Sequence, residues 1–448
     1  MPAMSSSCQT PTIAAIVTAP GRGGVAVVRV SGPAAFRIAE QVTGRPVGAH
    51  LAGRFFHAAF RDPAAPARPA FDEGLLLVFA APHSYTGEDV VELQGHGGSV
   101  APRRVLEACL AAGARLARRG EFTERAFLNG RLDLGAAEAV LDLIDARTER
   151  AADDAAARLG GAASRALNAL YDQALALSSQ VEHALDFSEE ELPDDFSGDV
   201  QAAVARLLAA VDGKLSTARE GRLLRDGARV VLAGAPNAGK SSLMNALLGE
   251  RRVLVSDAAG TTRDAVEEAL DVRGWPVRLV DTAGLRATED AVEAEGVARA
   301  EALIAQADVV LRLVPPDTPP CPDAAAANEI LVFSKCDLAP APAPSPLRVS
   351  AKTGEGLDAL KDALADRLAR LAARSAEETG ADVTTRQKDC LQTARAALVR
   401  AQAALRLPEW TIAANELRAA AEALGQILGK VYSDDLLDAL FSRFCIGK

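Results

Sequence analysis

The 448-residue sequence predicts a multidomain α+β and α/β protein. It should have an α+β N-terminal domain over residues 1–132, an all-α helical domain in two halves over 133–225 and 375–448, and an inserted α/β domain over 226–374 with a doubly wound, mainly parallel sheet. Three observations predict this. Apolar and β-branched runs at 13–17, 25–30 and 75–79 are punctuated by Gly and Pro, as short strands between turns are. From Leu134 to about Glu220, and again after Ser375, apolar residues fall three and four apart in text such as AVLDLIDA and AALVRAQAAL, the period of amphipathic helices. At Arg229 the text changes to VVLAGAPNAGKSS, a short strand running into a glycine loop, and strands then alternate with helices to about Leu371.

Composition narrows the function. Lys and Arg number 49 against 60 Asp and Glu, a formal net charge of -11. Coating nucleic acid by charge alone needs a basic face that displaces counterions, so that class is excluded while a local basic patch is not. Hydrophobic residues make up 49% but aromatics only 4%, much of the difference being alanine, which favours helices. No run of about 18 apolar residues occurs, so no spanning helix and no membrane partner are expected. The start, MPAMSSSCQT, lacks the pattern of an export signal. Cys8, Cys109, Cys321, Cys336, Cys390 and Cys445 are scattered without CxxC, as reduced thiols of a cytoplasmic protein are. The five histidines show no metal-ligand spacing, so a zinc enzyme is not expected.

Gly234 to Ser241 reads GAPNAGKS, the phosphate-loop pattern GxxxxGK[ST], straight after a predicted strand at 230–233. Glycines let the backbone wrap phosphates with its N–H groups inward, while Lys240 suits the β and γ phosphates and Ser241 a Mg²⁺ ion. Such a match alone also arises as a chance glycine turn; three further elements decide it. Asp281-Thr282-Ala283-Gly284 follows a predicted strand at 277–280, where an Asp can hold a metal's water shell and a Gly lets its N–H approach the γ-phosphate. Ser334-Lys335-Cys336-Asp337, after a predicted strand at 330–333, resembles the guanine-reading NKxD element, whose carboxylate accepts two hydrogen bonds from guanine. Ser334 stands where Asn is usual and can make fewer bonds, but Asp337 is retained. Ser350-Ala351-Lys352 provides a last base-contacting turn. These four elements in order predict a GTP-binding domain, with Asn237, Ala238, Gly239, Lys240, Ser241 and Ser242 around the phosphates.

Leu285 follows the DTAG where Ras-type GTPases place a water-orienting Gln, so another group must orient the attacking water. Asn237 and the segment GTTRD at 260–264 resemble the TrmE-Era-EngA-like GTPases, a class that uses K⁺ where others use an arginine finger. That resemblance implies K⁺ contacts from Asn237, Ser256, Ala258 and Thr261 and Mg²⁺ contacts from Ser241 and Thr262, with Asp257, Ala259 and Gly260 also lining the nucleotide. An ordinary turn residue is the plainer reading of Asn237.

The flanks are more specific. TIAAIVTAPGRGGVAVVRVSG (12–32), SYTGEDVVELQGHGG (84–98), RGEFTERAFLNGRLDL (119–134) and the terminal FCIGK (444–448) closely resemble the MnmE (TrmE) family of tRNA uridine modification GTPases, over essentially the whole chain. The resemblance implies a tetrahydrofolate-binding and dimerising N-terminal domain. It also implies a homodimer that joins the FAD-containing MnmG protein in a heterotetramer. That complex adds a carboxymethylaminomethyl-type group to carbon 5 of the wobble uridine of certain tRNAs, the one-carbon unit coming from 5,10-methylene- or 5-formyl-tetrahydrofolate. Family folate positions fall on Arg29, Glu92, Lys448 and Arg131, the last more often Lys, and the water-orienting acid falls on Glu293, with Glu295 near enough to exchange with it. Read as residues alone, Glu92 and Arg131 are ordinary surface ion-pair partners, whereas Arg29 inside an apolar strand needs a partner. Cys445 is either a catalytic thiol that adds to the uracil ring or a small residue packed in the tail.

Two stretches of the chain are strongly charged. Residues 186–199 carry seven acids and no base, with Pro193 among them, and are expected to form a solvated loop. Residues 101–131 carry seven arginines and three acids, which suits tRNA contact or a solvated helix face.

Overall fold

The computed structural model describes residues 10–185, 195–250, 267–281, 301–316, 328–338, 347–372, 383–407 and 409–448. Two compact units form: the chain up to Leu141 together with Leu428–Lys448, and Asp142–Ile427.

In the first unit, β1 (Ile13–Ile16), β2 (Val25–Ser31), β3 (Phe55–Phe60), β4 (Asp72–Phe79), β5 (Val90–His96) and β6 (Arg115–Leu116) form one sheet in the order β3-β4-β5-β2-β1-β6. Its ladders are antiparallel except β1 with β6. Strand alternation sorts the β2 side chains: Ala26, Val28 and Val30 are buried, while Val25, Val27 and Arg29 take the other face of the pleat. Val28, Val30, Leu76, Val91 and Leu93 share a core with Ile38 of α1 (Ala35–Thr43) and Val105 of α2 (Ala101–Ala111). The short helix α3 (Glu121–Leu128) follows β6, and α4 (Leu134–Asp145) leads into the second unit.

The second unit begins with α5 (Glu149–Leu159), α6 (Ala162–Ala184) and α7 (Phe196–Asp226). The acidic stretch therefore differs from expectation at its end, because α7 begins at Phe196 and takes Asp199 into its first turn, where a carboxylate favours the helix N-terminus. Residues 186–194, 317–327 and 339–346 lie outside the described residues.

After Gly227 the chain enters β7 (Ala228–Gly234) and α8 (Lys240–Glu250), then the antiparallel pair β8 (Glu267–Val272) and β9 (Trp275–Asp281). With β10 (Val309–Val314), β11 (Glu329–Ser334) and β12 (Arg348–Val349) these form a sheet in the order β12-β11-β10-β7-β9-β8, parallel except at β8. Helix α9 (Leu357–Ala372) buries Leu357, Leu360, Leu364 and Leu368 in the core of this sheet. Helices α10 (Thr385–Arg406) and α11 (Trp410–Leu428) return to the all-α part. The buried face of α10 includes Ala394, Ala397, Ala401 and Ala404, and Arg395 pairs with Asp212 of α7. Alanine's small side chain accounts here for an apolar composition poor in aromatics. The last helix, α12 (Asp434–Phe441), and the buried Phe444 belong to the first unit again.

Candidate functional site

The nucleotide motifs converge at the carboxyl ends of parallel strands, where open α/β sheets bind ligands. Gly234 ends β7 at φ 146, and a Cβ there would lie 2.6 Å from the Leu313 carbonyl of β10, so only glycine lets the loop leave the sheet at this point. Asn237 holds φ 61, a left-handed conformation that Asn tolerates. Lys240 is buried and donates from Nζ to the Gly234 and Ala235 carbonyls, both at 2.9 Å. Ser241 opens α8 and Asp281 ends β9; the Ser241 hydroxyl donates to Asp281 Oδ2 at 2.6 Å. Two oxygen donors 40 residues apart thus meet beside the loop, a set suited to a hard divalent cation.

The residues expected to read the base follow β11 and β12. Ser350 donates its hydroxyl proton to Asp337 Oδ1 at 2.7 Å, and this bond holds the Asp337 carboxyl below its ordinary range. The same Ser350 oxygen accepts from the Lys352 and Thr353 amides at 3.3 and 3.2 Å. Lys335 has φ 56, an uncommon conformation for a long side chain and the kind of strain that collects at functional sites. Its Cε lies 3.9 Å from where a Cβ on Gly239 would stand, so its chain covers the phosphate loop. Ser334, buried at the end of β11, donates to the Ala238 carbonyl at 2.7 Å.

Ser256, Asp257, Ala258, Ala259, Gly260, Thr261, Thr262, Thr282, Ala283, Gly284, Glu293 and Glu295 lie outside the described residues.

A second polar cluster lies in the first unit. Arg29 and Glu92 are partners in the β2–β5 register, 2.8 Å apart and both largely buried. The Arg29 guanidinium carbon stands 5.1 Å from the Tyr85 ring centroid and 5.6 Å from that of Phe122. Lys448 reaches this pair because residues 444–448 hook back: Arg119 bridges Ile446, Arg119 Nε donates to the Phe444 carbonyl at 2.9 Å, and the Phe122 amide donates to the Lys448 carbonyl at 3.2 Å. Burial and then the charge of Arg29 lower the Lys448 pKa, with Glu92 opposing. Arg131 is placed separately, donating to the Ser84 carbonyl at 3.1 Å in the loop that also carries Tyr85. Cys445 has an exposed thiol on the hook.

The family model of the MnmE helical domain matches residues 134–445, and that of the GTP-binding protein TrmE N-terminus matches 12–131. The tRNA modification GTPase MnmE of Symbiobacterium thermophilum is 45% identical over 98% of this chain and 99% of its own length. The chain belongs to the MnmE family of tRNA modification GTPases. The MnmE of an Azoarcus species is 45% identical over 99% of this chain and 100% of its own, and that of Ralstonia nicotianae 43% over 100% and 98%. Among solved structures, the G domain of the T. maritima FeoB iron transporter is 25% identical and covers 32% of this chain and 98% of its own, at a TM-score of 0.23. This member of the MnmE family is a GTP-hydrolysing enzyme with a multidomain α+β and α/β architecture. No helix among the described residues is long and apolar enough to cross a membrane.

Sequence reasoning missed a buried ion network in this MnmE-family chain. Arg125 binds both Glu88 oxygens at 3.2 and 3.0 Å, Glu121 at 3.0 Å and the Pro11 carbonyl at 2.8 Å, while Ser31 donates to Glu88 at 2.7 Å. The network clamps α3 to the 84–88 loop, and with it Tyr85. Burial pushes the Glu121 carboxyl up, but hydrogen bonds from Arg115, the Arg118 amide and Arg125 prevail and hold its pKa at about 2. Its one sequence signal is the helical Glu121–Arg125 spacing. The seven arginines of 101–131 are all engaged within the chain: Arg103 with Glu107, Arg104 over Phe71, Arg115 with Glu121, Arg118 with Glu124, Arg119 with Phe444, Arg125 with Glu88 and Arg131 with Ser84.

Proposed function

We propose that this MnmE-family enzyme works in the cytoplasm on tRNA as a homodimer joined to the flavoprotein MnmG. The proposed product is a carboxymethylaminomethyl-type group on carbon 5 of the wobble uridine, with a tetrahydrofolate one-carbon unit as donor. The observation that carries the folate part is the meeting of Arg29, Glu92 and Lys448, residues far apart in sequence, beside the Tyr85 ring. Their chemistry fits the ligand. A pterin edge presents adjacent N–H donors suited to one carboxylate, and a glutamate tail suits Lys or Arg. Glu92 would accept from the pterin edge, Arg29 would hold the Glu92 carboxylate in place through their ion pair, and Lys448 and Arg131 would meet the tail. The bound folate supplies the one-carbon unit. Cys445, with its exposed thiol beside Lys448, is the candidate nucleophile toward the uracil ring; a Cys445→Ser enzyme that modifies tRNA normally would reduce it to packing.

In the G domain, Ser241 with Thr262 would hold Mg²⁺, and Asn237 with Ser256, Ala258 and Thr261 would hold K⁺. Glu293 would orient the attacking water. Support comes from the Ser241–Asp281 oxygen pair and the exposed, left-handed Asn237 at the loop. Both ions offset phosphate charge when bound. Two measurements test the whole reading: binding of 5-formyltetrahydrofolate to the full-length protein, and nucleoside analysis of tRNA from cells lacking it. No binding, or an unchanged wobble-uridine profile, would overturn it.

A further inference from the structure

We infer that Ser334 does not read the guanine base but ties the base loop to the phosphate loop, so that this GTPase is indifferent to N7 of its nucleotide. The inference rests on the assignment of Asp337 as the guanine-reading carboxylate. A serine hydroxyl carries one proton. At Ser334 that proton is donated to the Ala238 carbonyl at 2.7 Å, in a buried contact between residues 96 apart. Releasing it to the base would leave the Ala238 carbonyl without this donor in a buried place, which costs more than the new bond returns. The neighbouring hydroxyl, Ser350, is committed in the same way to Asp337 at 2.7 Å. The hydroxyl protons of Ser334 and Ser350 therefore both serve the protein, while the Asp337 carboxylate, an acceptor, matches only the donor edge of guanine. An Asn at 334 has two amide protons and can serve Ala238 and the base together.

Competition of unlabelled nucleotides against a fluorescent GDP on the full-length protein, with Mg²⁺ and K⁺ present, tests this. GDP and 7-deaza-GDP, which has carbon in place of N7, should compete within about threefold of each other, whereas inosine diphosphate, lacking the 2-amino donor, should be weaker by about tenfold or more. Ser334→Ala should weaken GDP and 7-deaza-GDP by one common factor of about fivefold, and Ser334→Thr should restore both. Ser334→Asn should open a preference for GDP over 7-deaza-GDP, a change that a merely structural role would not produce. A wild-type preference for GDP over 7-deaza-GDP larger than threefold overturns the inference with Asp337 intact. Equal binding of inosine diphosphate and GDP overturns the Asp337 assignment beneath it.

Discussion

Arg29 faces Glu92 across the β2–β5 ladder, with its Nε and Nη2 both 2.8 Å from one carboxylate oxygen, Oε1. The ion pair thus uses one oxygen and leaves Oε2 outside it. Replacing the charge while keeping the shape, Glu92→Gln, should lower the affinity for 5-formyltetrahydrofolate by about tenfold or more, because a charge-assisted bond becomes a neutral one. GTP turnover should be unchanged within about twofold. Titration calorimetry and phosphate release on the same preparation check both halves.

Ser241 and Asp281 meet at 2.6 Å beside the phosphate loop. Ser241→Ala and Asp281→Asn should each slow GTP hydrolysis by about 10²–10³, the usual consequence of removing one preorganised charge-stabilising group. Raising Mg²⁺ should recover part of the Ser241→Ala loss. A rate unaffected by either change would remove the pair from the metal site.

Asn237 is an exposed amide at the turn of the loop. Exchange of K⁺ for Na⁺ should slow GTP hydrolysis by at least about tenfold, and Asn237→Ala should be slow in both salts, erasing the difference. Equal rates of the unaltered protein in the two salts would rule out the K⁺ assignment.

Gly447 sits at φ 103, and a Cβ there would come within 2.5 Å of the Ile16 carbonyl. Gly447→Ala should therefore lift the hook off β1. The amides of Gly120 and Phe122, which donate to the Cys445 and Lys448 carbonyls, should then exchange hydrogen faster, and folate affinity should fall while GTP turnover persists.

Against the opposing effect of burial, hydrogen bonds from Arg115, the Arg118 amide and Arg125 hold the Glu121 carboxyl at about 2, below its ordinary 4.5, so its folded pKa is depressed. Its contribution is present above about pH 4.5 and is lost as pH falls from there toward 2. It amounts to about 3.5 kcal/mol at most, from about 1.4 kcal/mol per pH unit. Glu121→Gln should lower stability at neutral pH, because Arg115 and the buried Arg125 lose a counter-charge, and should flatten the acid limb of the stability curve of the first unit. Hydrogen exchange along α3 as a function of pH measures both.

Sequence revealed what repeats locally. The phosphate loop, the strand ending at Asp281, the turn at Ser350 and the long helices all announce themselves within a dozen residues, through glycine spacing or a helical period. The partner of Arg29 was demanded by its apolar strand, and only sheet register supplies Glu92. The Ser334–Ala238 bond, the Glu88–Arg125 pair and the contacts of Arg104 with Phe71, Arg119 with Phe444 and Arg131 with Ser84 all join residues whose separation has no periodic mark. A local charge count of 101–131 cannot distinguish guanidinium groups open to tRNA from groups already occupied within the chain. Likewise Leu428, where the chain passes from the second unit back to the first, falls at the end of a helix whose text is no different from its neighbours.

The return of residues 428–448 to the first unit sets an order of events during synthesis. A ribosome adds about 5–20 residues per second, so the sheet that follows Ile13 must wait roughly 15–60 s for the hook that completes it. Over that interval the Arg29–Glu92 pair exists without Lys448, and the amides of Gly120 and Phe122 lack their carbonyl partners. The GTP-binding strands, all of them translated earlier than the hook, can finish folding first. The folate candidate site is thus completed by residues translated after every strand of the nucleotide domain, so the nucleotide site can form before it.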